Sequence, residues 1–141
     1  GADLVLERSP SDWLGALRAE LPVGVDTILD VVGGDEADRN IKAAAADGTI
    51  VQVGLMGGGQ APVNIGLLLM KRITWIGTTL RARPLERKLD LCQRFSREML
   101  PLFDSGDLVP VLDSRFALDD IADAHRHMES NASIGKILID L

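Results

Sequence analysis

The chain has 141 residues, of which 46% are hydrophobic and 26% charged, a composition typical of one soluble globular domain. Its net charge of −6, without a long basic run, argues against nucleic acid or an anionic membrane as a partner. One cysteine and two histidines exclude a disulfide framework and a cysteine–histidine metal cluster, so no metal is expected. The sequence shows no signal-peptide pattern and no stretch as long as a membrane span, so we expect the cytoplasm.

Hydrophobic periodicity predicts strands that alternate with helices along the chain. Up to residue 80 these are a strand at 2–6, a helix at 9–21 with Pro10 and Asp12 near its start, a strand at 25–32, a helix at 35–46, a strand at 49–56, a short helix at 65–72 and a strand at 73–80. A longer helix follows from Pro84 to Met99, and Pro101 ends or kinks it. The rest of the chain is predicted as an extended segment at 108–118, a helix at 118–130 and a strand at 135–140. Residues 25–32 are apolar and β-branched over most of their length, which is typical of a parallel strand covered on both faces. The alternation predicts an α/β fold with a parallel sheet and right-handed crossovers.

Two of the predicted strands end in glycine, at Gly33-Gly34 and at Gly54 followed by glycines at 57–59. Ligands of open parallel sheets bind beyond the carboxyl ends of the strands, and glycine lets backbone approach a ligand closely. The two glycine ends together therefore suggest two exposed stretches of backbone, or ledges, that face one flat ligand. The competing interpretation is a simple turn, which is the better interpretation for either cluster alone.

Three segments in order, "GVDTILDVVGG…RNIKAAAADGTIVQVGLMGGG", "LLLMKRITWIGTTLRAR" and "AHRHMESNASIGKILIDL", resemble the zinc-free quinone oxidoreductases of the medium-chain dehydrogenase/reductase superfamily. The zeta-crystallin-like NADPH:quinone oxidoreductases are the most similar branch, and the resemblance covers nearly the whole chain. It implies a doubly wound, Rossmann-type parallel sheet and NADPH as cofactor, with NADH left open. It also implies hydride transfer to a quinone or a related carbonyl acceptor, with no catalytic side chain inside this chain.

The resemblance also implies a set of cofactor-binding residues. The residues expected beside the adenosine and ribose are Asp30, Val31, Val32 and Gly33. A backbone ledge near the pyrophosphate and nicotinamide is expected at Gly54, Leu55, Met56 and Gly57. The carboxamide is expected to contact Thr78, Thr79 and Leu80. Ser133 and Lys136 stand where members of this branch reach back to the cofactor, and Arg8 is a candidate for contact with a 2′-phosphate.

A glycine-rich G-x-G-x-x-G loop, which binds the pyrophosphate in the family, does not open any helix of this sequence. The sequence begins about where the third strand of that domain would begin, so we expect a carboxy-terminal piece of a full enzyme, inactive alone. Residues 1–81 would be a partial dinucleotide-binding domain without its first two strands, and residues 82–141 a long helix and a helix–strand return segment toward the missing catalytic domain. Since strands 1 and 2 lie between strands 3 and 4 in that fold, residues 2–6 should lack their neighbour, and either rearrange or self-associate.

The strand at residues 73–80 is expected at the other edge of the sheet, and the family commonly pairs it with its own copy. The resemblance therefore implies a homodimer through this strand, with a helix covering that edge as the alternative. The expected function is the carboxy-terminal part of an NADPH-dependent quinone oxidoreductase, which contributes part of the cofactor site and the dimer edge. The alternative is a truncated, non-catalytic self-association module of Rossmann type.

Three other features have simpler interpretations. His125 and His127 lie at positions i and i+2 of a predicted helix and point in different directions, so a shared metal is not expected. Cys92 is expected to be a buried, inert thiol on the apolar face of the long helix. An acidic helix start, which the helix dipole favours, is expected at Asp119, Asp120 and Asp123.

Overall fold

The computed structural model describes residues 2–7 and 12–141, and the chain divides into two compact units between Arg83 and Pro84. Arg8 and Pro10 lie outside the described residues. The predicted boundary between residues 81 and 82 is close to this division. The roles assigned to the two parts from the sequence stay predictions.

The first unit is built on a three-stranded sheet. Its elements are α1 (Trp13–Glu20), β1 (Val25–Asp30), α2 (Glu36–Ala43), β2 (Ala44–Gln52), α3 (Ile65–Met70) and β3 (Thr74–Gly77). The strands are ordered β1-β2-β3, and both pairs are parallel. This confirms the predicted α/β class with a partial parallel sheet, and it puts β1 and β3 at the two edges.

The core of this unit lies between the sheet and the helices α2 and α3. Ile50 in the central strand and Ile41 in α2 are both 0% exposed, and they pack with Ile73 and with partly buried side chains of α3. Ile28, Ile50 and Trp75 share one row across the three strands, so they point to the same, helix-covered face. Burial of this row fixes which face of each strand the helices cover.

The opposite face of the sheet is exposed. Leu29, Val51 and Ile76 form the neighbouring row, and Leu29 is 68% and Ile76 46% exposed. The prediction that the strand at residues 25–32 is covered on both faces is therefore wrong. Alternate side chains of a strand point to opposite faces, and α2 and α3 pack on the same one.

Residues 2–7 form no strand, so the prediction of a strand at 2–6 is wrong. Leu4 and Val5 are exposed, at 43% and 79%. A strand requires a partner for its backbone groups, and β1 pairs only with β2 in the described sheet. The local sequence has the composition of a strand but no neighbour to pair with.

The helix predicted at residues 35–46 ends earlier, at Ala43, and the alanines that follow belong to β2. Lys71 stabilises this helix end, because its Nζ donates to the carbonyl oxygens of Ile41 (3.2 Å), Lys42 (2.8 Å) and Ala44 (2.6 Å). A cation at the carbonyl end of a helix is favoured by the helix dipole. Partial burial, and secondarily the nearby guanidinium of Arg18, lowers the pKa of Lys71.

The second unit joins helices to a two-stranded parallel ribbon. Its elements are α4 (Leu85–Glu98), α5 (Leu100–Asp104), β4 (Leu112–Ala117), a 3₁₀ turn (Leu118–Asp120), α6 (Ile121–Glu129) and β5 (Lys136–Asp140). Pro101 sits in the first turn of α5, so the predicted break of the long helix at this proline is confirmed. The acidic helix start at residues 119–123 is confirmed as well.

Cys92 is exposed, so its predicted burial is wrong. The spacing of apolar residues identifies the apolar face of α4 correctly but does not say whether anything covers that face. Among the residues that the structure describes, no helix is long and apolar enough to span a membrane.

Candidate functional site

The carboxyl ends of the three strands in the first unit lie side by side. Asp30 pairs with Gln52, and Gln52 pairs with Gly77. Beyond these pairs, the amide of Val53 donates to the carbonyl of Asp30 (2.8 Å), and the amide of Thr78 donates to the carbonyl of Gln52 (3.0 Å). The segments 30–33, 54–57 and 78–80 therefore leave the sheet at one edge, where ligands of parallel sheets bind.

Asp30 is buried at the end of β1, and its carboxylate holds the glycine turn that follows. Its Oδ1 accepts a hydrogen bond from the amide of Val32 (2.6 Å), and the amide of Gly33 reaches both carboxylate oxygens (3.1 and 3.2 Å). Asn40 of α2 donates from Nδ2 to Oδ2 (3.0 Å). Since donors within the chain occupy both oxygens, the Asp30 side chain organises the turn, and a ligand at residues 30–33 would meet main chain.

Asn40 and Gln52 are the two residues of this network that sequence reasoning missed. Gln52 donates from Nε2 to the carbonyl oxygens of Gly54 (2.7 Å) and Asp30 (3.3 Å), so it ties the ends of β1 and β2 together. The available signal was a polar residue at an apolar position. Asn40 lies on the buried face of α2, and Gln52 interrupts the apolar run of β2.

The two glycine ends contact each other through their main chains. The amide of Gly57 donates to the carbonyl of Val32 (2.7 Å), and the amide of Gly34 donates to the carbonyl of Gly58 (3.0 Å). Gly34 has a φ of 54°, and a Cβ atom added there would collide with the carbonyl of Gly57. Glycine is thus required by the turn and by the close approach of two backbones.

A crevice of about 210 Å³ lies between the two glycine ends, on the helix-covered side of the sheet. Its walls come from both glycine ends, from Gln52 and Trp75 of the sheet, and from the loop at residues 55–63. None of its lining residues is charged. The crevice therefore suits an uncharged group.

A second cavity, of about 190 Å³, lies between α1, α2 and the end of β1. Its lining residues include Asp30 and Glu36, and Glu36 accepts a hydrogen bond from the indole of Trp13 (3.1 Å). Two acidic side chains make this cavity unfavourable for a phosphate group.

The loop that forms one wall of the crevice is anchored to α2 at its far end. Asp38 accepts a hydrogen bond from the amide of Asn64 at Oδ1 (2.9 Å), and its Oδ2 lies 2.6 Å from Nζ of Lys42. The bond to Lys42, and then the amide of Asn64, lowers the pKa of Asp38 from its ordinary value of 3.8. The position of this wall thus depends on an ionised Asp38.

At the end of β3, Thr78 is engaged within the chain. Its Oγ1 accepts a hydrogen bond from Nη2 of Arg83 (2.9 Å), and its amide belongs to the pairing with β2. Thr79 and Leu80 are exposed. The contact of these residues with a carboxamide stays a prediction.

Ser133 and Lys136 belong to the second unit, in the connection from α6 to β5 and at the start of β5. This connection is tightly held, because Asp113 accepts a hydrogen bond from the amide of Ile134 (2.8 Å) and pairs with His127 (2.7 Å). The Ile134 amide, and then the hydrogen bond with His127, lowers the pKa of Asp113. Ser133 is half-buried and Lys136 exposed, and their predicted contact with a cofactor stays a prediction.

The first unit is thus part of an open α/β sheet whose glycine ends converge at the carboxyl ends of its strands. Residues 1–139 match the model of a family described as zinc-binding dehydrogenase, and the chain belongs to this family. This confirms the resemblance to the medium-chain dehydrogenase/reductase superfamily that the sequence shows.

Relatives and solved structures agree with this assignment. The chain is 31% identical over 118 residues to quinone oxidoreductase-like protein 2 of Bos taurus, covering 84% of this chain and 34% of that protein. It is 28% identical over 138 residues to prostaglandin reductase-3 of Mus musculus, covering 89% and 36%. The structure of a mycobacterial protein complexed with NADPH shares the fold, with a TM-score of 0.80 and 24% identity over 99% of this chain and 43% of that one. The chain thus spans about a third of the length of these curated relatives.

The residues present do not fit a zinc site. Across residues 2–7 and 12–141, no three histidine, cysteine, aspartate or glutamate side chains come together as metal ligands. His127 pairs with Asp113 and contacts the ring of Phe116. Zinc independence of the whole protein stays a prediction.

The contact between the glycine ends gives the first test. Gly34→Ala should destabilise the protein by about 1–3 kcal/mol, because it forces a side chain into positive φ and against a main-chain carbonyl. Urea unfolding followed by circular dichroism measures the change. Gly77→Ala is the matched control, since an added Cβ there meets no atom within 4 Å, and its effect should stay within about 0.5 kcal/mol. Equal effects of the two substitutions would contradict the steric explanation.

The lowered pKa of Asp38 gives a pH test. Its folded pKa is below its unfolded value, so the ionised side chain stabilises the fold above pH 3.8 and this contribution is lost as pH falls through the depressed folded pKa. Asp38→Asn should cost about 1 kcal/mol or less at neutral pH, and the difference from wild type should vanish in acid. Unfolding free energies measured from neutral pH into this acidic range test the expectation. A difference that does not change with pH would show that the charge has no role.

Proposed function

We propose that this chain is part of an NADPH-dependent oxidoreductase that transfers a hydride to a quinone or a related carbonyl acceptor. Its own contribution is part of the cofactor site, at the carboxyl edge of the three-stranded sheet. The observation that carries the proposal is the convergence of two glycine ends beside an uncharged crevice. In a member of this dehydrogenase family, that edge is the expected place for a nicotinamide dinucleotide.

The relatives support the choice of cofactor and acceptor. One relative is a quinone oxidoreductase-like protein, and the mycobacterial neighbour is complexed with NADPH. NADPH is therefore the proposed cofactor, with NADH as the competing one. The acceptor class is proposed by analogy with the relatives, since no described side chain is specific for a quinone.

The residues at this edge fit the nicotinamide end of the cofactor better than its phosphates. The amides of Met56, Gly57 and Gly58 all donate to main-chain carbonyls within the chain, so they offer no donors to a phosphate. Leu55 and Met56 are exposed and apolar, and they suit a flat ring. When bound, the cofactor supplies the hydride. The described residues hold and orient a ring, and we assign no catalytic side chain here.

We further propose a homodimer through residues 73–80. β3 is an edge strand, and its Thr78 amide points toward β2. By alternation the amides of Trp75 and Gly77 point away from the sheet, where a second copy can pair with them. The unpaired side of β3 also supports the second candidate function, a non-catalytic self-association module. Cytoplasmic localisation and inactivity of the chain alone stay predictions.

Titration with NADPH tests the cofactor proposal and separates the two candidates. Proton–nitrogen correlation spectra of the chain should show saturable shifts at residues 31–34, 54–58 and 78–80, because these segments border the proposed site. A partial site should bind weakly, with a dissociation constant of about 1 mM, equivalent to roughly 4 kcal/mol. NADH titrated in parallel measures the preference between cofactors. Absence of shifts in these segments would refute the cofactor role of this chain and leave the self-association module.

Analytical ultracentrifugation tests the dimer. The chain should sediment as a concentration-dependent dimer, and Gly77→Pro should shift it toward monomer because proline removes an outward amide of β3. Gly77→Ala keeps that amide and should leave the dimer intact. A wild-type chain that is monomeric at all concentrations, or a proline variant that dimerises equally well, would refute pairing through this edge.

A further inference from the structure

Another cavity lies at the amino ends of β1 and β2, opposite to the carboxyl edge of the sheet. Gly24 immediately precedes β1 and Ala44 is the first residue of β2, which places the cavity at this end. Its volume is about 360 Å³, and it is lined by Arg18, Pro22, Val23, Gly24, Lys42, Ala44 and Lys71. Three of these residues are cations and none of the described lining residues is acidic, although the chain has a net charge of −6.

Main chain forms part of the cavity wall. Gly24 has a φ of 90°, and a Cβ atom added there would collide with main-chain atoms of residues 43–45. Glycine therefore lets the loop before β1 pass directly against the start of β2. The position of this part of the wall does not depend on a side-chain rotamer.

Arg18 and Lys71 converge on one acceptor beside the cavity. Nη2 of Arg18 donates to the carbonyl oxygen of Lys42 (3.2 Å), and Nζ of Lys71 donates to the same oxygen (2.8 Å). In the part of the chain that the structure describes, neither of these two cations forms an ion pair with a carboxylate. Partial burial, and then repulsion from Arg18, lowers the pKa of Lys71. An anion beside the two cations would offset this repulsion.

Arg18 has the donors that such an anion needs. A guanidinium carries five N–H groups, and the contact with Lys42 uses one of them. Lys71 contributes charge only, because three carbonyl oxygens take its three hydrogens. The side chain of Lys42 is already paired with Asp38 (2.6 Å). Recognition therefore depends on the planar fork of Arg18, which matches an oxyanion such as phosphate.

The helix dipole offers a competing explanation for these cations. Arg18 and Lys42 lie in the last turns of α1 and α2, and Lys71 caps the end of α3. Cations are favoured at these positions, but a helix end carries only about half an elementary charge. The dipole therefore explains why each cation is there and still leaves Arg18 and Lys71 with a surplus of positive charge.

We propose that this cavity binds a phosphate monoester of a small organic molecule, at a site separate from the cofactor site. The phosphoryl group accepts hydrogen bonds from Arg18 and lies in the field of Lys71. A phosphate monoester carries up to two negative charges, which matches two cations without a carboxylate partner, whereas a carboxylate carries one. The volume of about 360 Å³ falls within the roughly 300–1,000 Å³ of small-molecule sites. Pro22 and Val23 give the organic part an apolar wall.

Titration of the whole chain with inorganic phosphate and with phenyl phosphate tests the site, at an ionic strength held constant with sodium chloride. In proton–nitrogen spectra we expect saturable shifts at the amides of Val23 and Gly24 and at Nε of Arg18. Phenyl phosphate should bind with a dissociation constant of about 1 mM and inorganic phosphate more weakly, because only the ester reaches the apolar wall. The amides of Gly33 and Gly58, at the carboxyl edge, should not move and serve as internal controls.

Three variants isolate the role of Arg18, which is exposed. Arg18→Gln removes the charge and the fork, and should weaken the binding of phenyl phosphate about tenfold or more. Arg18→Lys keeps the charge without the fork, and should weaken it less. Arg94→Gln is the matched control, because it removes one positive charge from an ion pair with Glu98 on α4 and should leave the affinity unchanged.

The outcomes separate this site from its alternatives. Shifts that sodium chloride alone reproduces, or equal affinities of wild type and Arg18→Gln, would overturn the inference and leave the cations as stabilisers of helix ends. An equal loss in Arg94→Gln would show a nonspecific effect of charge and overturn it as well. Equal affinities for the two phosphates would overturn the assignment of an ester. The proposed function is judged by the response of residues 31–34, 54–58 and 78–80 to NADPH, so either proposal can fail while the other stands.

Discussion

The buried carboxylate of Asp30 is the interaction on which the geometry of the carboxyl edge depends. It accepts hydrogen bonds from two amides of the following turn and from Asn40, and so joins β1, the turn and α2. Gln52 extends the connection to β2 through the carbonyl oxygen of the same residue. A buried donor that loses such a partner costs about 1–3 kcal/mol, so these elements are expected to keep their positions together.

The glycines at this edge have two physical roles that sequence patterns cannot separate. Gly34 provides a backbone conformation with positive φ, and it lets the chain pass against the carbonyl of Gly57. The two interpretations that the sequence left open, turn and ledge, are therefore compatible. The glycines build a turn, and that turn forms one wall of an uncharged crevice. The amides of Gly34, Gly57 and Gly58 donate to carbonyls within the chain, so these three amides are not free to bind a ligand.

The sequence predicted the parallel sheet and the convergence of residues 30–33 with 54–57, because strand periodicity and chain order are local and topological properties. The sequence pattern could not predict contacts between residues that are distant from each other in the chain. Asn40 and Gln52 look like isolated polar residues until the fold brings them to Asp30 and Gly54. The strand expected at residues 2–6 and the burial expected for Cys92 were wrong for the same reason, since each depended on a partner that the pattern does not name.

The open row of Leu29, Val51 and Ile76 affects how the first unit responds to temperature. These side chains already contact water in the folded state, so unfolding adds less new apolar surface than it would for a sheet covered on both faces. The heat-capacity increment of unfolding follows that added surface. The stability curve of this unit should therefore be shallow, with a broad maximum and a low enthalpy at its melting point.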